Sequence, residues 1–415
     1  VVRRPDQRPD PDAGKRTTGD GRRTTIRLTK PLRDAIAGGH PWIYDRACAP
    51  LAPGAKPGAL AVIVDDRGPL ACGYVDPDGP IRARVCALDP DAALDDGWAH
   101  GRARAAAAAR AADPLLADCD ALRAIHGEND RMPGLVVDLY AGCAVLVMDG
   151  DAAARFWRPR LEAVLRGLAD GGLPIETAWL RPVRGGEGGA GEALRGEPPA
   201  TIAIRERGAR FDVDVRRGQK TGFFLDQRDN RSLVARYAAG ARVLNLFAYT
   251  GGFSVHAALA GAAHVTTVDL ASPAIESAKT NFTRSGLDPA AHAFAAVDAF
   301  AFLEDARAHR RTWDVVICDP PSFAPNERAR AKAIGAYAKL FAASAQVVEP
   351  GGLLAAASCS SHVTELDFLG ALADAQRRAR RTIVARVIAG AASDHPVVPG
   401  FPEGRYLKFA LTACD

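Results

Sequence analysis

No apolar run in this chain approaches the roughly 18 residues that a membrane span needs, and the first residues lack the apolar stretch of a secretory signal. Those absences predict a soluble, intracellular protein of the cytoplasm with no membrane partner. No two of the eight cysteines, at 48, 72, 86, 119, 143, 318, 359 and 414, form a C-x-x-C pair. That spacing argues against a disulfide framework and a finger-type zinc site, so no metal is expected. The default for each cysteine is a small buried hydrophobe in a reducing compartment. An excess of one charge is missing too: 53 Lys+Arg face 49 Asp+Glu, a net +4. Global charge therefore does not point to nucleic acid, although a local basic patch is allowed. What is present is ordinary for a globular chain, 48% hydrophobic and 25% charged residues, which excludes a wholly disordered or fibrous protein. At roughly 150 residues per domain, 415 residues predict two or three domains.

The texture along the chain divides it. Residues 1–22, rich in Pro, Asp, Arg, Gly and Thr, have almost nothing to bury and are expected to be a disordered tail. In 23–95, short β-like runs at Thr24–Leu28, Ala59–Val64, Leu70–Val75 and Ile81–Leu88 are separated by Gly, Pro and Asp clusters, as in a small barrel or sandwich. A helical turn or two over Pro31–Ala37 ends at Gly38-Gly39. Residues 96–216 read as a central mixed α/β module. It starts with an Ala/Arg-rich connector helix carrying Arg102, Arg104 and Arg110, continues through strands to an amphipathic helix at about 151–168, and has a Gly/Glu-rich mobile loop over 185–199. From 217 to 415 strand-like apolar runs alternate with helices: Arg242–Phe247, His264–Asp269, Ala291–Val297, Trp313–Cys318 and Leu353–Ser358. Such runs with helical crossovers predict a parallel sheet covered on both faces, an α/β fold. Two last strands, about 382–388 and 405–412, leave no room for a helix between them and should form an antiparallel edge hairpin.

The ends of these strands carry the chemistry. Asn245-Leu246-Phe247-Ala248-Tyr249-Thr250-Gly251-Gly252-Phe253 is a strand, a glycine turn and a helix start, where open α/β sheets let backbone approach a ligand closely. Asp269 ends the next strand eighteen residues after Gly251, where an acid can accept both hydroxyls of a ribose. The helix after it is expected to have Ser272 as N-cap and Pro273 at its first position. A G-x-G-x-x-G fingerprint is absent, and Gly218-Gln219-Lys220-Thr221 only mimics the end of a Walker motif. A cofactor with adenosine but no phosphates fits best, and S-adenosylmethionine is the common one. Asp298 ends the third strand, as an adenine-edge ligand, a helix N-cap, or both. Asp319-Pro320-Pro321-Ser322-Phe323 ends the fourth, two prolines stiffening backbone that presents a carboxylate to a planar base, with Phe323 available for stacking. Ser358-Cys359-Ser360-Ser361 ends the fifth. Neighbouring fourth and fifth strands would put Asp319 and Cys359 on one rim, Cys359 being a nucleophile or a passive wall. Cys318, inside the apolar run, reads as core.

These residues carry a resemblance. Residues from about 217 resemble the class I S-adenosylmethionine-dependent methyltransferases, with a Rossmann-like sheet. The whole chain from about 24 resembles the bacterial large-subunit (23S) ribosomal RNA cytosine-C5 methyltransferase family. The matching segments are Gly218–Arg228, Asn245–Phe253, Asp319–Phe323, Ser358-Cys359-Ser360, Asp394-His395-Pro396 and Pro402-Glu403-Gly404. His40-Pro41-Trp42 is similar to the family's PUA domain, a small RNA-binding β-barrel. The resemblance implies that Cys359 adds to C6 of a cytosine, that Asp319 holds or protonates the base at N3, and that Pro320, Pro321 and Phe323 face it. It implies that Lys220, Thr221, Phe224, Asp226 and Gln227 close over the methionine end of the cofactor. Asn245, Phe247, Tyr249, Thr250, Gly251, Gly252, Asp269 and Asp298 would hold the remainder. Where many RNA C5 methyltransferases carry a second cysteine this chain has Ser322, so the group that removes the C5 proton is not identified.

RNA affinity would come from local patches. Arg82 and Arg84 alternate along one strand and share a face; with Lys30, Arg33 and Arg46 they could contact phosphates. Trp42 and Tyr44 could stack on a base, though Trp42 taken alone is more often barrel core. The expected partner is large-subunit ribosomal RNA or its precursor particle, and an edge hairpin or the barrel could support a homodimer. Two rivals stand beside this reading. A methyltransferase of the same scaffold acting on guanine N7 would have no use for Cys359, and a non-catalytic RNA-binding or assembly factor would not need the Gly-Gly turn.

Overall fold

A computed structural model describes residues 23–183, 191–324 and 326–415. The tail 1–22 and residues 184–190, of which 185–190 belong to the expected mobile loop, lie outside them. Among the described residues no helix is long and apolar enough to cross a membrane.

The first domain is a five-stranded sheet in the order Thr24–Arg27, Leu60–Asp65, Gly68–Val75, Ile81–Ala87, Trp42–Tyr44. The first pair is parallel and the others antiparallel. Alternation along these strands turns Ile26, Ile43, Ile63 and Ala83 into a common core. Its helix Arg33–Ala37 ends as expected, Gly39 taking φ +107°, which side chains rarely adopt.

In the central module a second five-stranded sheet runs Glu192–Arg195, Thr177–Leu180, Cys143–Met148, Leu135–Tyr140, Ala121–His126. The helix Asp96–Ala111 packs on Leu161–Asp170, closely enough that a Cβ on Gly167 would lie 2.4 Å from the His100 carbonyl oxygen. The single helix expected at 151–168 is two helices, Asp151–Trp157 and Leu161–Asp170, split by a tight turn at Arg158–Arg160. Pro159 is the physical reason, because it has no N–H for the helical ladder. The hairpin Ile202–Glu206/Ala209–Val213 forms its own two-stranded sheet between the modules. Its Ile204, Phe211 and Val213 share one core with Tyr140 and Val145 on one side and Val243 and Phe253 on the other.

The C-terminal sheet has seven strands: Arg242–Leu246, His264–Asp269, Ala293–Ala296, Trp313–Cys318, Val348–Ser358, Ile383–Ala389 and Lys408–Cys414. In space they run third, second, first, fourth, fifth, seventh, sixth, the first five parallel and the last two an antiparallel hairpin at the edge. The strand order reverses between the first and fourth strands, and the crevice at their carboxyl ends is where such sheets bind ligands.

Candidate active site

A cavity of about 570 Å³ opens at those carboxyl ends. The turn after the first strand is bent by three left-handed residues, Phe247 (φ +57°), Tyr249 (φ +49°) and Gly251 (φ +82°). Asp269 braces it: one carboxylate oxygen accepts the Tyr249 N–H at 2.8 Å and the other the Ala271 N–H at 2.9 Å. Asp298 fills the N-cap role, accepting from the N–H groups of Phe300 and Ala301 while still lining the cavity. Ser272 is not the cap expected of it. Ala271 occupies that position and Ser272 begins the helix Ser272–Arg284, with no side-chain cap bond. Asp269 already holds the Ala271 N–H.

The segment 218–227 folds over the same cavity. Tyr249 ties it down, its hydroxyl accepting the Gln219 N–H at 3.1 Å and donating to the Gly222 carbonyl at 3.3 Å. Lys220 pairs with Asp226 at 2.6 Å and lies 4.4 Å above the Phe224 ring. Asp226 also accepts from the Tyr406 hydroxyl at 2.6 Å. Burial would raise the Asp226 carboxyl, but Lys220 and His395 outweigh it and hold it well below the ordinary range. Gln227 donates to Asp319 at 2.9 Å and is itself oriented by Asn230, which donates to its oxygen at 2.6 Å.

Asp319, Pro320, Pro321, Phe323 and Cys359 line the same cavity, as adjacency of the fourth and fifth strands requires. Burial first, then the Asp226 charge, push the Asp319 carboxyl up to about 6 against Lys220 and Gln227. Burial, Asp319 and Asp226 push the Cys359 thiol up to about 11, with Lys220 opposing. Ser322 also faces the cavity, its hydroxyl 2.8 Å from that of Ser360, which is 2.8 Å from the Tyr337 hydroxyl. Cys318 is buried, as expected.

Other expected ligands lie elsewhere. Thr221 is fully buried and bonds to Asp138 and Tyr140 of the central sheet rather than facing the cavity. Asn245 points under the strand to Ser254 at 2.9 Å. Gly251 shapes the turn without lining the cavity, a Cβ there being 3.0 Å from that of Ala278. Arg84, expected on an RNA face, is buried with its guanidinium on Glu128 (2.6 Å) and Asp149 (2.7 Å). Trp42 sits opposite Arg84 on the next strand, donates to the same Glu128 at 2.9 Å, and packs edge-on to Phe401 at 4.7 Å. Both residues hold domains together, because the barrel face that bears them meets the central module. Arg82 bonds to the Pro77 carbonyl, and Arg33 pairs with Asp65, leaving Lys30 and Arg46 as the exposed cations of that group. Tyr44 is exposed but packs edge-on to Trp42. The sequence reading missed Leu270 and Phe300, exposed apolar side chains on the cavity rim, and Arg231 and Leu407 on its wall. A signal existed for the first two: each follows an acidic strand end by one or two residues, where a loop would normally be polar.

Residues 182–390 match the family described as S-adenosylmethionine-dependent methyltransferase, and residues 26–87 match the PUA-like domain. A ribosomal RNA large subunit methyltransferase of Deinococcus radiodurans is 40% identical over 405 residues, covering 95% of this chain and 98% of the relative. Ribosomal RNA large subunit methyltransferase I of Cronobacter sakazakii is 35% identical, covering 92% and 97%. The chain belongs to the S-adenosylmethionine-dependent methyltransferases. Its fold is that of SMU.776, solved in complex with SAH, at TM-score 0.81 and 23% identity over 94% of this chain and 99% of the other. The methyltransferase's cofactor is S-adenosylmethionine, and the cavity suits it. Asp269 stands at the second strand end, and no phosphate-binding fingerprint is present. One oxygen of Asp226 is buried without a partner among the described residues, an acceptor suited to the cofactor's ammonium group.

Proposed function

We propose that this methyltransferase forms 5-methylcytosine in large-subunit ribosomal RNA through a covalent adduct between Cys359 and C6 of the base. The observation that carries the reading is that Cys359 and Asp319 line one cavity beside the cofactor turn. The names of the relatives support ribosomal RNA as the substrate class, which would place the protein in the cytoplasm. When bound, S-adenosylmethionine supplies an electrophilic methyl group and a positive charge near the thiol. Cys359 gives up its proton to solvent and its sulfur bonds to C6. The C5–C6 double bond opens and N3 takes a proton from Asp319, whose acidity near 6 keeps a neutral carboxyl available. C5, now enamine-like, would take that methyl group as its bond to the sulfonium sulfur breaks, leaving S-adenosylhomocysteine. Loss of the C5 proton to a solvent base restores the double bond and expels the sulfur as thiolate, while N3 returns its proton to Asp319. Phe323 and the two prolines would hold the flipped base. Asp298 and the rim residues Leu270 and Phe300 would flank the adenine, Phe247, Thr250 and Gly252 the nucleoside, and Lys220, Phe224 and Gln227 the methionine end.

The test is nucleoside mass spectrometry of ribosomal RNA from cells lacking the protein, complemented with wild type or Cys359→Ser. One 5-methylcytosine should vanish and return only with wild type. Full methylation by Cys359→Ser would remove the covalent mechanism, and a missing methyl on another base atom, such as guanine N7, would replace the target.

A further inference from the structure

We infer that Lys408 is a positioning residue for the Cys359 thiol, its buried ammonium clamping the backbone beside that cysteine and supplying the positive charge that favours thiolate. This rests on Cys359 acting as nucleophile. Lys408 opens the seventh strand and lies opposite Ser358 in the antiparallel register, at the point where the fifth strand runs out into Cys359. Its side chain is buried, and its Nζ donates to the Ser360 carbonyl at 2.5 Å and the Tyr406 carbonyl at 2.7 Å. The first of these bonds fixes the residue that immediately follows the thiol.

Two carbonyls would be satisfied by any neutral donor, so the charge itself calls for an account. A buried ammonium is costly unless something nearby gains from it. Among the described residues no carboxylate forms an ion pair with Lys408. Asp367 and Glu365 of the helix Glu365–Ala379 act on it only at longer range, and Cys359 is the group that most favours its charge. Burial brings the ammonium down to about 8, which leaves it mostly charged at neutral pH. The groups facing the thiol from other elements are Asp319 after the fourth strand, Asp226 and Lys220 of the 218–227 segment, and Tyr337 of the helix Arg330–Ala345. Both carboxylates oppose ionisation. Lys220 is committed to Asp226 at 2.6 Å, so much of its charge is cancelled. Arg231, the other cation on the cavity wall, is held by Glu206 at 2.7 Å. Lys408, bonded to the carbonyl next to the thiol, is the nearby cation with no ion-pair partner among the described residues.

The experiment follows alkylation of Cys359 by iodoacetamide, read by peptide mass spectrometry from about pH 6 to about pH 9.5, in wild type, Lys408→Gln and Lys408→Arg. Gln keeps N–H donors and loses the charge. Its profile should move up by about one pH unit, alkylation at about pH 7 being about tenfold slower, while Arg stays within about twofold of wild type. In wild type the log-rate should also climb less steeply above about 8, as Lys408 loses its proton. An unshifted profile in Lys408→Gln that still binds S-adenosylhomocysteine would overturn the inference. So would a wild-type profile with no change of slope near that pH, whether or not the variant folds. These readouts concern the thiol alone. Failure of the cytosine reading would instead appear as methylation by Cys359→Ser, with the alkylation profiles unchanged.

Discussion

Replacing Arg228 by Met should loosen the joint between the central module and the methyltransferase domain. Arg228 is fully buried. Its guanidinium donates to the Ala121 carbonyl at 2.7 Å, lies 2.9 Å from Asp394 and 3.5 Å from Glu206. Removing one member of a buried ion pair costs about 3–5 kcal/mol, because the partner charge stays behind without water. Here both carboxylates keep other partners. Glu206 retains Arg231 at 2.7 Å and His256 at 3.0 Å, and Asp394 retains His395 and the Arg123 N–H, each at 2.8 Å. The cost should therefore fall at the lower end, about 3 kcal/mol, read as a reduced midpoint in urea by circular dichroism. The pH dependence has a definite sign. Burial disfavours the Asp394 charge, but His395 and Arg228 outweigh it and hold the carboxyl well below its ordinary value. Its stabilising contribution is therefore complete at neutral pH and is lost progressively as pH falls below about 4. The gap between wild type and Arg228→Met should narrow in that acid range. A loss below about 1 kcal/mol at neutral pH, or a gap that widens on acidification, would refute the reasoning.

Two further outcomes follow from the same geometry. Asp319→Asn should lower RNA methylation at least about a hundredfold by removing the N3 acid, yet make Cys359 alkylate faster at about pH 8, because Asp319 opposes thiol ionisation; slower alkylation would contradict that charge coupling. Gly251→Ala should weaken S-adenosylhomocysteine binding about tenfold by calorimetry, since φ there is +82° and the new methyl meets Ala278 at 3.0 Å. Gly261→Ala, with φ +87° but open space around it, should bind as wild type.

How much of this was legible in the chain can be judged from particular residues. The seven-stranded sheet was, because short, mostly apolar strand-like runs alternate with helical stretches, and the missing helix before Lys408–Cys414 leaves only a hairpin. Asp269, Asp298, Asp319 and Cys359 all line the cavity because strand ends in such a sheet face one rim. Local patterns said less about residues whose partners are remote. Thr221 sits inside a segment that covers the cavity, yet its own side chain turns back to Asp138. Arg84 had the right periodicity for an outward cation, but a second domain bearing Glu128 closes over that face.

The amino-acid order alone determined the fold class, the order of the modules and the rim at which the cavity opens, since alternation and helical crossovers act over a few neighbouring residues. Only the tertiary structure decided which charged groups are free to act. Asp394-His395 and Pro402-Glu403-Gly404 stood out in the sequence as motifs without a stated task, and Trp42 of His40-Pro41-Trp42 as a candidate for base stacking. Folding brings His40 and Trp42 onto Phe401, and Asp394 onto Arg123 and Arg228. A buried charge must find a partner wherever the chain can bring one, and that choice is made by packing between distant segments rather than by spacing along one.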